Sequence, residues 1–134
     1  MKIKAHPLFT SWIAVALATG LATARAGEVI ANASVTLSAD EVKELYLGEK
    51  QLAGSVKLVP VENTAEQESF LVKVLHIDIA KYSTRWTKKA FREGLTAPSA
   101  KGSDADVIAY VKATPGAVGY VGAPSSGVKV LQKY

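Results

Sequence analysis

Apolar residues near the end of the chain form a short continuous run from Ala117 to Val121, interrupted only by Gly119. Such a run predicts a strand that is covered on both faces, with the glycine admitting a close neighbour. Pro115 cannot continue a helix, and Gly116 accepts backbone angles that are closed to other residues. We therefore predict a helix that ends in a Pro-Gly turn and leads directly into a buried strand.

The same patterns divide the preceding residues into helices and strands. Polar residues that commonly cap helix starts stand before four amphipathic stretches, at Ser38, Thr64, Asp78 and Ser103. The first two have Glu or Gln three residues later, which is a capping box. Strands are predicted at 28–37, 56–61, 117–121 and 128–131. Strands that alternate with helices predict an α/β fold with a central mixed sheet flanked by helices, in one domain over residues 27–134.

Residues 1–26 have the pattern of a secretory signal peptide. Lys2 and Lys4 give a positive start, an apolar stretch follows, and Ala24-Arg25-Ala26 is a cleavage site of the A-x-A type. The alternative is a transmembrane anchor, but the apolar stretch is shorter than the about 20 residues of a bilayer span and contains polar residues. We predict export to the periplasm, with no stable membrane insertion after cleavage.

Composition narrows the classes of function. The chain of 134 residues has 16 basic and 12 acidic residues, and three of the basic ones lie in the predicted signal. The mature chain is therefore nearly neutral, which argues against nucleic-acid binding. Cysteine is absent from the sequence, which excludes disulfides, thiol nucleophiles and cysteine zinc sites.

Four segments, in this order, resemble the phosphate-binding proteins of ABC transporters: Leu45–Gly48, Leu58–Val61, Ser103–Val111 and Pro115–Val121. The resemblance covers nearly all of the chain after residue 26. It implies a periplasmic-binding-protein-like fold of type II and a role in solute binding. Full-length members have two lobes that close on the ligand by hinge motion, and the mature chain is long enough for about one. The implied partners are inorganic phosphate or another small oxyanion, and an ABC permease or envelope protein.

Two predicted helix starts are candidate oxyanion sites, because free backbone amides and the positive end of the helix dipole attract anions. Asn63 and Thr64 stand at one start, and Lys101, Gly102 and Ser103 stand at the other, where the lysine adds a positive charge. We predict these five residues as ligand-binding. Alternatively, they only cap the two helices.

The first helix start departs from the family pattern. Full-length members place a Ser-Gly-Thr run and an arginine here, whereas this chain has Glu66-Gln67-Glu68 and no preceding arginine. A carboxylate beside a bound anion costs about 1 kcal/mol or more. The departure motivates a second hypothesis, in which the lobe binds no ligand and serves as an interaction module of a membrane or envelope complex.

One helix carries a basic face formed by Arg85, Lys88, Lys89 and Arg92. This face can meet an acidic partner, a membrane surface or an anion, or it is simply a solvated helix face opposite a buried Trp86. Of these alternatives, a solvated face is the usual one for a charged stripe on a helix.

Catalytic signals are weak, and we predict a protein that is not an enzyme and that has no cofactor or metal. His76 is the only histidine after the predicted signal, and its apolar neighbours favour a structural role. Ser125-Ser126 does not match the nucleophile elbow of hydrolases. Asp104 and Asp106 are explained by the start of a helix rather than by a metal site.

Overall fold

The structure, a computed structural model, describes residues 26–134. The helices are α1 (Ala39–Tyr46), α2 (Gln67–Phe70), α3 (Ile79–Glu93) and α4 (Asp104–Ala113), and a π-helical turn (Leu71–Leu75) continues α2. The strands are β1 (Glu28–Ala31), β2 (Leu52–Ala53), β3 (Val56–Lys57), β4 (Val59–Asn63), β5 (Ser99–Lys101), β6 (Ala117–Val121) and β7 (Lys129–Lys133). The predicted signal peptide falls on residues that, except for Ala26, lie outside the described part of the chain.

Five of the strands form one mixed sheet in the order β5-β4-β6-β1-β7. Strand β4 runs parallel to both β5 and β6, whereas β1 pairs antiparallel with β6 and β7. The predicted α/β fold with a central mixed sheet flanked by helices is confirmed. Strands β2 and β3 form a separate small hairpin.

Strand β6 is buried along its whole length, as its apolar run predicted. Alternate side chains point to opposite faces of the sheet and divide the core into two clusters. On one face, α4 contributes Val107 and Val111 to a cluster with Val61 and Val121. The other cluster is larger and contains side chains from α1, α2 and α3, namely Val42, Leu45, Tyr46, Phe70, Tyr82 and Trp86. The molecule is therefore built as three layers.

Two glycines at β6 are required by their surroundings. Gly116 has a φ of 82°, and a Cβ there would collide with the backbone oxygen of Lys57. A Cβ on Gly119 would lie 2.6 Å from Val107 Cγ1 and 3.1 Å from Val61 Cγ2. Helix α4 thus packs against the backbone of the sheet at a distance that only glycine permits.

An aromatic cluster ties α1 and α2 to the other face of β6. The rings of Phe70 and Tyr120 stack with centroids 3.9 Å apart, and Tyr46 meets Phe70 edge-on at 4.8 Å. The buried hydroxyl of Tyr46 lies 2.8 Å from the Val61 carbonyl oxygen and 3.2 Å from that of Val118. Because these carbonyls belong to β4 and β6, the cluster fixes the helices over the centre of the sheet.

Some predicted boundaries are wrong. The first strand ends at Ala31 rather than Leu37, because the Asn32 side chain accepts a hydrogen bond from the Ser34 amide and donates to the Val111 carbonyl. No strand was predicted between residues 61 and 117, but Ser99–Lys101 forms the edge strand β5. The last strand is Lys129–Lys133, shifted from the predicted 128–131.

We expect Gly119→Ala to destabilise the fold by about 1–3 kcal/mol, because the added methyl group overpacks the contact between α4 and β6. Urea denaturation of the purified domain measures the free energy of unfolding. Gly102→Ala is the matched stability control, since no atom of the described residues lies within 4 Å of a Cβ built there. An equal, small effect of both substitutions would show that α4 can move away from the sheet without cost.

Candidate functional site

The carboxyl ends of the parallel strands β5, β4 and β6 meet at one edge of the sheet. Strand β4 ends at Asn63 and β5 ends at Lys101, and these two residues pair in register. The Thr64 amide donates to the Lys101 carbonyl oxygen at 2.9 Å. In open α/β sheets this edge is where ligands commonly bind. The two candidate helix starts of the sequence therefore lie side by side, and we refer to residues 63–64 and 101–103 as the strand-end cluster.

Asn63 is fully buried, and its side chain is committed to protein partners. Its Nδ2 donates to Asp104 Oδ1 at 2.7 Å and lies 3.2 Å from the Tyr120 carbonyl oxygen. Its Oδ1 accepts from the Ala65 amide at 3.1 Å. Asn63 therefore joins the ends of three elements rather than presenting a free amide to solvent.

The carboxylate of Asp104 occupies the centre of this edge. Its oxygens accept from the Gly122 amide at 3.1 and 3.2 Å, in addition to the bond from Asn63. Asp104 is also the first residue of α4, where the helix dipole favours a negative charge. The cluster thus has the donors of an anion cradle, and a side chain of the same protein fills it.

The other members of the cluster differ in their exposure to solvent and in whether their side chains already contact protein groups. The Ser103 hydroxyl accepts from the Asp106 amide at 3.2 Å, so Ser103 caps α4 as predicted. Lys101 lies with its Nζ 4.6 Å from the centroid of the Tyr110 ring. Thr64 and Gly102 are exposed. One cation, one hydroxyl and one open backbone position therefore remain for a ligand.

A second carboxylate borders the cradle. Glu66 lies against Gly122, and a side chain at residue 122 would collide with it. Burial raises the pKa of the Tyr134 hydroxyl, and the charges of Glu66 and Asp104 raise it further. The electrostatic environment of the edge is therefore negative on this side, which follows from the Glu66-Gln67-Glu68 sequence.

The predicted capping box from Thr64 to Gln67 is wrong. Helix α2 begins at Gln67, and no side chain from residues 26–134 caps its first turn. The Gln67 Nε2 instead donates to Glu62 Oε2 at 2.7 Å. Glu62 is buried and also accepts a hydrogen bond from the Tyr82 hydroxyl. Sequence analysis missed Glu62, and the only signal for it was a charged residue following the apolar strand at 56–61.

The basic face of α3 is partly neutralised. Arg85 pairs with Glu49 and donates from Nε to the Leu47 carbonyl at 3.0 Å, and Lys89 pairs with Glu93 at 2.9 Å. Among the described residues, Lys88 and Arg92 make no salt bridge. Trp86, as predicted, is buried.

The structure also shows where His76 lies and whether the described residues could form a metal site or a membrane span. His76 is exposed and adopts a left-handed backbone conformation where the π-helical turn ends. Residues 26–134 contain no group of three or more acidic or histidine side chains that would hold a metal ion. Within the same residues, none of the helices has the length and apolar character needed to cross a bilayer.

Comparison with known proteins supports the fold. The structure resembles the crystal structure of an ABC-type phosphate transport receptor from Vibrio cholerae, with a TM-score of 0.50 and 19% sequence identity. The likeness covers 80% of this chain and 45% of the receptor, so the chain spans less than half of the receptor's length. No protein-family model and no curated protein matches the sequence. The likeness therefore supports the α/β fold with a central mixed sheet flanked by helices.

We expect Glu62→Gln to change how stability depends on pH. Burial raises the pKa of Glu62 above its usual 4.5, against two hydrogen bonds that lower it. Because the pKa is higher in the folded than in the unfolded state, the stability of the wild type falls as the pH rises through the folded value. Glutamine keeps two hydrogen bonds, after a flip of the Gln67 amide, and carries no charge.

Urea denaturation between about pH 4 and pH 8 tests this expectation. The free energy of unfolding of Glu62→Gln should rise relative to the wild type as the pH increases. Glu44→Gln, at an exposed position of α1, is the control and should show no such trend. A constant difference between Glu62→Gln and wild type across the range would contradict the raised pKa.

Proposed function

We propose that this chain is a solute-binding lobe that is exported to the periplasm and associated with transport, and that it holds a small oxyanion such as phosphate at the strand-end cluster. The supporting observation is that the Asn63 side chain and the Gly122 amide already bind a carboxylate there, that of Asp104. The resemblance of the sequence to phosphate-binding proteins and the likeness to a phosphate transport receptor point to the same class of ligand.

In this proposal Asp104 is an internal competitor of the ligand. An incoming oxyanion takes the Gly122 amide and the Asn63 Nδ2 when the Asp104 side chain rotates away, and Thr64, Lys101 and Gly102 add a hydroxyl, a cation and an open backbone position. Ser103 positions these groups by capping α4. Binding to the wild type is weak, because Asp104 must leave its hydrogen bonds and Glu66 stays beside the site.

We expect Asp104→Ala to bind phosphate at least about tenfold more tightly than the wild type, a gain of about 1.4 kcal/mol. The substitution removes both the competing carboxylate and a like charge. Isothermal titration calorimetry of residues 27–134 with phosphate, sulfate and molybdate measures the affinity. Asp106→Ala is the matched control, because it removes an exposed carboxylate from the same helical turn.

Equal affinities of Asp104→Ala and Asp106→Ala would show that the internal carboxylate does not compete. If neither the wild type nor Asp104→Ala releases heat at millimolar anion, the oxyanion proposal is wrong. Circular dichroism of each variant establishes that the fold is intact, so a missing heat is not mistaken for an unfolded protein.

A second candidate function is an interaction module of an envelope complex, and the outer face of α3 favours it. Phe91 is 91% exposed there. Lys88 and Arg92, three and one residues away along α3, have no salt bridge among the described residues. An apolar anchor next to free cations fits an acidic protein surface.

We expect the triple variant Lys88→Glu, Phe91→Ser, Arg92→Glu to lose an acidic partner that the wild type captures from envelope extracts. The control Lys57→Glu, Lys73→Glu makes the same change in charge at exposed positions elsewhere and should keep the partner. Pull-down with each tagged protein, compared by mass spectrometry, gives the partner lists. Identical lists for all three proteins would exclude this face as a docking surface.

A further inference from the structure

A cavity of about 370 Å³ opens on the α3 side of the sheet, away from the strand-end cluster. Its walls include Glu62, Gln67, Tyr82, Trp86, Ala90 and Pro98. Glu62 and Asn63 are consecutive in β4, so their side chains point to opposite faces of the sheet. The cavity is therefore a separate site that does not depend on the proposed oxyanion function. Its volume lies in the range of small-molecule pockets.

The chemical character of the cavity is set by one buried carboxylate. Glu62 is 7% exposed and receives hydrogen bonds from Tyr82 and Gln67, whereas a carboxylate has about four acceptor sites. Among the described residues, none that lines the cavity is basic. Buried charges in proteins are normally paired, so a carboxylate with spare acceptor capacity and no cation favours a positively charged guest.

The basic residues of α3 do not serve as that partner. Arg85 is held by Glu49 and by the Leu47 carbonyl, and Lys89 is held by Glu93. Glu62 makes no salt bridge with any of the described residues. The protein therefore supplies hydrogen-bond donors to Glu62 but leaves its charge without an ion pair.

We propose that this cavity binds a small organic ammonium ion. The ammonium group donates hydrogen bonds to the free acceptor sites of Glu62, and the alkyl part lies against Trp86 and Pro98. Tyr82 and Gln67 hold the carboxylate in place through their own bonds to it. A compact primary amine satisfies both the charge and the mixed polar and apolar lining, whereas an anion of the same size is repelled.

The test is an NMR titration of ¹⁵N-labelled residues 27–134 with propylammonium chloride, and with sodium propionate as an anion of similar size at equal ionic strength. The signals of the Trp86 indole and the Gln67 side-chain amide report directly on the cavity. For the wild type we expect saturable shifts with propylammonium, with a dissociation constant on the order of 1–10 mM, and no saturation with propionate.

Two variants separate the proposal from a nonspecific effect. Glu62→Gln should weaken binding at least about tenfold, whereas the exposed Glu44→Gln should leave it unchanged. Ala90→Lys places a cation at the cavity wall on an exposed helical position, where lysine is well tolerated, and should abolish binding with Glu62 intact. Linear shifts in the wild type, or unchanged affinity in either cavity variant, would overturn the proposal.

Discussion

The fold depends on burying β6 on both faces while its backbone pairs with β4 on one side and β1 on the other. This strand has no polar side chain facing water, so every layer of the molecule must be in place before it is covered. Gly119 makes one half of that packing possible by admitting α4, and the ring of Tyr120 completes the other half by stacking on Phe70. The sheet and helices are thus a single cooperative unit.

The end of β6 also forms part of the candidate site. Gly122 follows the last residue of β6, and its amide donates a hydrogen bond to the Asp104 carboxylate rather than to a neighbouring strand. That bond fixes the start of α4 against the end of β6, and the Asn63 side chain adds the end of β4. A carboxylate that holds three elements together contributes stability. In the proposed function, competition between Asp104 and an anion therefore links anion binding to the packing of α4. The hydrogen bonds of Asp104 to Asn63 and Gly122 therefore both hold the fold together and occupy the candidate site.

Local signals in the sequence predicted local structure well. Ser38, Asp78 and Ser103 cap their helices as expected, because a cap needs only a side-chain oxygen and an amide three residues later. The capping box predicted from Thr64 to Gln67 is wrong because the Gln67 side chain donates a hydrogen bond to Glu62 instead. Glu62 in turn accepts a hydrogen bond from Tyr82, which lies 20 residues further along the chain. The five site residues were predicted as neighbours of two helix starts, and the edge strand β5 that joins those starts was missed. The three residues Ser99, Ala100 and Lys101 have no strand pattern of their own and form a strand only by pairing with β4.

Side chains alternate between the two faces of the sheet at the end of β4, so a hydrogen-bond donor lies on one face and a carboxylate on the other. Asn63 points to the face of α4 and donates to a carboxylate, whereas Glu62 points to the face of α3 and accepts from a phenol and an amide. One strand end therefore presents donors on one face of the sheet and an acceptor on the other. Because the two faces are separated by a buried sheet, the hydrogen bonds of Asn63 and those of Glu62 involve different partner side chains. This separation lets a lobe of this size combine an anion cradle and a carboxylate-lined cavity within two consecutive residues.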